Sequence, residues 1–188
     1  MTKSRKRLTT LTTAAILTAL AIIIPQVMPK IVIPPASFTL ASHVPIMIGM
    51  LISPAVAVTV ALGSTFGFLI SGLPIEITFR ALTHVIFAFF GATFLARHRD
   101  YTRGIKFQLF NLIIALIHTL CEVVMVYGLL TTGFSHLDGR HLGSLLLILG
   151  FGGFVQSLID FNIAMFLVRA IHKVHPFELL KTPELIND

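Results

Sequence analysis

Long apolar segments separated by short basic stretches constrain this chain more than any other feature. A helix that spans a membrane needs about 20 mostly apolar residues. We predict six such segments, at residues 8–28, 40–52, 55–70, 75–96, 107–130 and 142–171. The second and third are short, so we expect them to tilt or to pack inside the bundle; fusing or omitting them would give four or five spans. The proline-rich stretch PKIVIPPASF (29–38) cannot form a regular helix.

The composition agrees with a membrane protein. Apolar residues make up 55% of the 188 residues and charged residues only 12%, and the mean hydropathy is +0.92. A soluble domain of this length needs more charge to cover its surface. The basic N-terminus imitates a signal peptide, but no convincing small-residue cleavage site follows, so we expect a retained first helix. We therefore predict an all-α, integral membrane six-helix bundle that forms a single domain over residues 1–188.

Lysine and arginine predict the orientation, because they concentrate in cytoplasmic loops. Eleven of the 14 lie before the first segment, between the fourth and fifth, or around the end of the sixth: Lys3, Arg5, Lys6, Arg7, Arg97, Arg99, Arg103, Lys106, Arg169, Lys173 and Lys181. Six spans place all three regions on one side. We predict that both termini are cytoplasmic, that the chain is a multi-pass protein of a bacterial cell membrane, and that these basic runs set topology rather than bind nucleic acid.

Ionisable residues inside the predicted spans are the candidates for function. A charge within a membrane costs several kcal/mol unless it is paired or hydrated. The fourth segment carries Glu76, Arg80 and His84, whose spacing of four residues keeps them near one helix face. The predicted orientation puts them in the outer half of the membrane. Further polar residues follow at comparable or mid depth: His43, His118, Glu122, Tyr127, Gln156, Asp160 and Asn162. Together they predict a polar pocket that opens outward.

Each of these residues also allows a structural interpretation. Arg80 could pair with Glu76 or reach the outer headgroups, or it could clamp a ligand carboxylate, which a guanidinium matches with two parallel hydrogen bonds. Glu122 and His118 could form an internal pair, contact a ligand or relay protons. They are the only pair at metal-ligand spacing, and two ligands do not make a zinc site. We therefore predict no metal and no cofactor, and since no HExxH, GxSxG or P-loop occurs, no enzyme.

Three features of the chain resemble one family of membrane proteins. Ala15 and Ala19 form an AxxxA element in the first segment, the proline-rich stretch follows it, and ASHVPIMIGMLISP (41–54) joins two short segments. Together with the size and the predicted six spans, these features resemble the substrate-binding S components of energy-coupling factor (ECF) vitamin transporters. From the residues alone, Ala15 and Ala19 could equally contact a neighbouring helix of the same bundle.

The resemblance implies a function and a set of site residues. S components bind a vitamin from outside and dock through the alanine face of helix one on a transmembrane coupling protein, which works with two cytosolic ATPases. The family pocket lies between the loop after helix one and the outer halves of helices four to six. Carried onto this chain, it predicts substrate contacts by Arg80, His84, His43, Glu122, Tyr127, Gln156 and Asn162, with Phe38 or Pro35 as a lid.

The arginine favours a vitamin that carries a carboxylate. Pantothenate comes first because its hydroxyls and amide suit His, Gln and Asn, and niacin comes second. Two other functions stay open from the sequence. One is a stand-alone, proton-coupled secondary carrier of a small organic anion, with His118 and Glu122 as the relay. The other is a structural or assembly factor without a ligand.

Overall fold

The computed structural model describes residues 2–33, 36–134 and 142–174. Each predicted segment corresponds to one helix, and the proline-rich stretch contains a two-stranded antiparallel hairpin in which Lys30 pairs with Thr39. The elements are α1 (Lys3–Val27), β1 (Lys30–Ile33), β2 (Ala36–Thr39), α2 (Val44–Ile52), α3 (Pro54–Ile70), α4 (Ile75–Arg97), a short 3-10 helix (Arg99–Thr102), α5 (Gly104–Thr131) and α6 (Leu142–Val174). Pro35 and Lys181, which the sequence analysis named, lie outside the described residues.

Four of the six helices, α1, α4, α5 and α6, are long and apolar enough to cross a membrane. The other two are shorter, since α2 has nine residues and α3 has 17. Ser53 and Pro54 separate them: the Ser53 side chain accepts a hydrogen bond from the Val56 backbone N–H, at 3.3 Å, and so caps the start of α3. The six predicted helices are confirmed within the described residues, whereas six complete spans and the orientation of the termini stay predictions.

Two glycines on α3 allow α1 to approach closely. A Cβ atom added at Gly63 would lie 2.5 Å from the Thr18 methyl carbon, and one added at Gly67 would collide with the Ile22 side chain. Small residues four apart are a common means of close helix packing in membranes. The contact fixes the C-terminal half of α1, which contains Thr18 and Ile22, beside α3. The hairpin follows directly after this half of α1.

The α4–α5 pair positions most of the polar side chains. The two helices are antiparallel neighbours connected through the short 3-10 helix. Residues four apart on a helix share a face, so Arg80 and His84 on α4 face Glu122 and His118 on α5 in the reverse order. The core next to them, toward the C-terminal end of α4, is apolar and includes Phe87, which is fully buried.

Candidate functional site

A cavity of about 310 Å³ lies between the hairpin and the helices. Its walls come from all six helices and from the hairpin. The apolar lining residues are Ala21, Pro25, Ile46, Phe68, Leu73, Ile77 and Ala81, and the polar ones are Gln26, Lys30, Thr39, Ser42, His43, Ser64, Arg80, His84, Glu122 and Gln156. An apolar chamber with a few convergent polar groups is the usual form of a small-molecule site.

Arg80 and Glu122 form the charged wall of this cavity. Arg80 Nη2 donates to Glu122 Oε2 at 3.0 Å, and the Glu122 side chain is 2% exposed. The other carboxylate oxygen, Oε1, lies 3.2 Å from His84 Nε2. The sequence analysis offered Glu76, on the same helix as Arg80, as one possible partner. The structure instead pairs Arg80 with Glu122 on the neighbouring helix. The pairing offsets the cost of burying either charge.

Part of the Arg80 guanidinium remains without a partner. Its Nε is buried and makes no hydrogen bond, although buried donors in proteins are nearly always satisfied. The Arg80 side chain is nevertheless 15% exposed and lines the cavity, so an acceptor oxygen of a ligand placed there could meet the guanidinium group.

Asp160 on α6 holds the turn that leads into α2. Its Oδ1 accepts from the Ala41 backbone N–H at 2.8 Å, and its Oδ2 accepts from the His43 backbone N–H at 3.0 Å. The same Oδ2 lies 2.9 Å from His43 Nδ1. Ala41 has a φ of +65°, a left-handed conformation that a residue with a Cβ rarely adopts. The fully buried carboxylate therefore holds His43 and a strained turn in place at the cavity wall.

Gln156 makes a second connection between α6 and the same loop. Its Nε2 donates to the Thr39 carbonyl at 2.6 Å and to the Ser42 hydroxyl at 2.8 Å. Both acceptors line the cavity. Gln156 consequently ties the end of the hairpin to α6 while its own side chain forms part of the wall.

The strain at Ala41 gives a testable prediction. Replacing Ala41 with Gly should raise the melting temperature by about 2 °C, because removing the left-handed cost of about 1–2 kcal/mol outweighs the added flexibility of the unfolded chain. The measurement is thermal unfolding of the purified protein in detergent. Ala15→Gly, at an exposed position within α1, is the matched control and should lower stability. A lower melting temperature for Ala41→Gly would contradict the assignment of strain to this turn.

The structure brings five of the eight predicted substrate contacts to one cavity. Arg80, His84, His43, Glu122 and Gln156 all line it. His43 lies just before α2, while the other four come from α4, α5 and α6. The convergence follows from the order of the helices, since α4 and α6 both pack against α5, and α2 contacts α4 and α6.

The other three predicted contacts lie elsewhere. Tyr127 is 49% exposed near the end of α5. Asn162 is exposed and links α6 to α5, because its Oδ1 accepts from Gln108 Nε2 at 2.9 Å. Phe38 lines a neighbouring groove and packs against Gly152 of α6. We therefore leave Tyr127 and Asn162 out of the candidate site and treat Phe38 as a support of the hairpin rather than a lid.

The structure also places residues at the site that are not among the eight predicted substrate contacts. Asp160 and His118, which the sequence indicates only as polar residues within the spans, both lie against His43. His118 is 1% exposed and lies next to the rings of His43 and His84, with centroid distances of 4.5 Å and 5.0 Å. Lys30, Ser42 and Thr39 had no sequence signal beyond their position in the loop.

Comparison with known proteins identifies the family. The family model described as "ECF-type riboflavin transporter, S component" matches residues 5–173. The chain belongs to this S-component family. This S component is also 41% identical over 192 aligned residues to the niacin transporter NiaX of Lactococcus lactis subsp. cremoris (strain MG1363), covering 100% of this chain and 86% of that protein. No solved structure matches the chain.

Family membership confirms the resemblance drawn from the sequence. This S component is a multi-pass membrane protein whose homologues are transporter subunits and not themselves enzymes. Ala15 and Ala19 on α1 are exposed, whereas Ala14, Leu17 and Ala21 face the core. Within the described residues, the alanine pair thus faces outward rather than toward a neighbouring helix of the bundle.

Proposed function

We propose that this S component binds niacin in the cavity beside Arg80 and delivers it for uptake into the cell. The observation that carries the proposal is the Arg80 guanidinium group, whose side chain is 15% exposed and lines a largely apolar cavity. A carboxylate bound there would meet a cation in a site shielded from lipid, where charge-assisted hydrogen bonds are strong. The imidazoles of His43 and His84 lie on the same wall.

Niacin now stands ahead of pantothenate, the first choice of the sequence analysis. The niacin transporter NiaX of Lactococcus lactis is 41% identical to this S component over the whole chain. The cavity also suits a small flat ring, because Phe68, Leu73 and Ile77 supply apolar walls next to the charged one. Pantothenate has more hydroxyl and amide groups that need hydrogen-bond partners. The amide N–H groups of Gln156 already donate to Thr39 and Ser42 in the loop.

The remaining parts of the proposal concern transport. In the ECF scheme the loaded subunit works with a transmembrane coupling protein and two cytosolic ATPases in the plasma membrane. We assign the docking surface to the exposed Ala15 and Ala19 on α1. Both termini would then lie in the cytoplasm, as the distribution of Lys and Arg predicts.

Ligand stabilisation tests the proposed substrate. Purified protein in detergent should show a higher melting temperature with nicotinate, because a ligand that binds only the folded state stabilises it. Nicotinamide is the matched control, since it keeps the ring and lacks the carboxylate, and it should give a much smaller shift. Pantothenate and riboflavin complete the panel. A larger shift with nicotinamide, pantothenate or riboflavin than with nicotinate would contradict the proposal.

A second function, proton-coupled secondary transport, has one observation in its favour. His43, His84, His118, Glu122 and Asp160 form a continuous buried group of ionisable side chains. Such chains are characteristic of proton relays. Depleting cellular ATP while a proton gradient is maintained separates the two functions, because uptake stops for an ECF transporter and continues for a proton-coupled carrier.

A further inference from the structure

Four side chains capable of binding a metal converge below the cavity. They are His43 from the turn before α2, His84 from α4, and His118 and Glu122 from α5. Their candidate ligand atoms all lie within 4.8 Å of one another. All four residues are buried, with exposures of 7% or less. Burying this many polar groups in a membrane bundle is costly, and ionisable groups in such positions usually have a function.

The hydrogen bonds leave His43 ready to act as a metal ligand. An ionised carboxylate only accepts hydrogen bonds, so the 2.9 Å contact with Asp160 Oδ2 puts the ring proton on His43 Nδ1. Nε2 then carries the free lone pair. A histidine that donates its other ring N–H to a carboxylate is the usual arrangement around protein-bound metals, where the carboxylate fixes the ring and strengthens the ligand.

His118 is the observation that points most directly to a missing ligand. Neither of its ring nitrogens makes a hydrogen bond, although the residue is 1% exposed. Glu122 Oε1 lies 3.5 Å from His118 Nε2. Leaving a buried polar group unsatisfied is unfavourable, because the group has given up its hydrogen bonds to water without replacement. A cation between His118 and its neighbours would remove that cost.

Glu122 can serve two partners at once. Its Oε2 is held by Arg80 at 3.0 Å, while Oε1 faces His84 at 3.2 Å and His118 at 3.5 Å. Ligation through Oε1 therefore leaves the ion pair with Arg80 intact. Arg80 would orient the carboxylate in the way that supporting hydrogen bonds orient other metal ligands.

The donor set selects the kind of ion. Three imidazoles and one carboxylate suit Zn²⁺ and its neighbours in the first transition series, whereas Ca²⁺ and Mg²⁺ require mainly oxygen ligands. Tetrahedral Zn²⁺ with bonds of about 2.0–2.1 Å holds its ligand atoms about 3.4 Å apart. The ligand atoms, which lie within 4.8 Å of one another, would therefore have to move closer by up to about 1.4 Å at the widest pair.

The charges at the site favour a divalent cation. Three charged side chains lie in this buried group: Arg80 is positive, and Glu122 and Asp160 are negative. Lys30 also lines the cavity but is exposed to solvent, where a charge interacts more weakly than it does in a buried group. An anionic vitamin alone would therefore add a second net negative charge. A divalent cation reverses the sign, and the vitamin carboxylate then brings the group to neutrality.

We propose that His43, His84, His118 and Glu122 bind one Zn²⁺-class ion at the floor of the cavity, where it strengthens binding of a carboxylate vitamin. The second half of this statement rests on the proposed function, and the first half does not. His43, His84 and Glu122 line the cavity and His118 lies behind them. The ion would thus lie between the ligand space and the apolar core.

Metal binding is tested first, without any vitamin. The full chain is purified through an affinity tag that contains no histidine, stripped with chelator and titrated with Zn²⁺. We expect about one bound equivalent per chain, with affinity at least about tenfold weaker in His118→Gln. His98→Gln is the matched control, because His98 is exposed at the end of α4, and should bind as the unaltered protein does. Absence of bound zinc, or equal affinity in His118→Gln, would overturn the site.

A spectroscopic measurement on the unaltered chain removes any dependence on how the variant folds. Co²⁺ substituted into a four-coordinate nitrogen and oxygen site gives intense visible absorption bands, which Zn²⁺ should abolish by displacement. Weak bands typical of six-coordinate Co²⁺ would overturn the assignment.

Nicotinate affinity is then compared with and without Zn²⁺, with an expected gain of about tenfold from the added positive charge. Zinc binding without any nicotinate binding would remove the proposed function and keep the metal site. Nicotinate binding of equal strength with and without zinc would overturn the link between them.

Discussion

Replacing Arg80 with Ala should weaken nicotinate binding by about 2–4 kcal/mol, or about 30- to 1,000-fold. The reason is the loss of the cation at the cavity wall. Glu122, which Arg80 contacts at 3.0 Å, would remain as an uncompensated negative charge and would repel the vitamin carboxylate. Isothermal titration of the purified protein measures the change. Arg97→Ala, at the exposed end of the same helix, should bind nicotinate normally.

The Arg80 experiment needs a control for folding, because the unpaired Glu122 also destabilises the bundle. Combining Arg80→Gln with Glu122→Gln removes both charges and keeps groups that can hydrogen-bond to each other. We expect this double variant to recover most of the melting temperature lost in Arg80→Ala, while its nicotinate affinity stays low. Normal affinity in a folded Arg80→Ala protein would show that the guanidinium does not hold the carboxylate.

The sequence predicted the helices well because their cause is local. Runs of apolar residues interrupted by basic or proline-containing stretches set each helix, and the predicted segment 75–96 became Ile75–Arg97. The first helix begins five residues before its predicted segment, at Lys3, and α2 begins four residues after its own, at Val44 rather than residue 40. The second shift has a structural cause. There the chain turns through Ala41, whose left-handed conformation depends on Asp160 more than a hundred residues away. No local pattern encodes that contact.

The site was harder to predict because its pairs form between helices. Within the sequence, Glu76 is the nearest acid to Arg80, but the antiparallel packing of α4 and α5 brings Glu122 to it instead. The same packing joins His84 to His118, and α2 adds His43. A pair of possible metal ligands in the sequence thus became a group of four in the fold. Tyr127 and Asn162 do not line the cavity, and the sequence could not indicate this because depth in the membrane does not reveal which face of a helix points inward.

Replacing both Ala15 and Ala19 with Trp should reduce cellular niacin uptake to background, a loss of about tenfold or more, while nicotinate binding to the purified subunit stays unchanged. The two alanines lie four apart on the exposed face of α1 and so stack one above the other. Small side chains at this spacing let a partner helix approach closely, and two indoles would hold it away. Uptake of labelled niacin and titration of the purified variant measure the two quantities.

The matched control places the same bulk on another exposed helix face. Leu116 and Leu120 on α5 are also four apart and are 54% and 64% exposed, so changing both to Trp should leave uptake and binding unaltered. The separation of the two readouts carries the argument, because neither alanine reaches the cavity. Uptake that survives in the Ala15→Trp, Ala19→Trp protein would mean that the coupling protein docks on a different surface. Loss of nicotinate binding would mean that α1 supports the cavity itself, through the segment that contains Ala21 and Pro25.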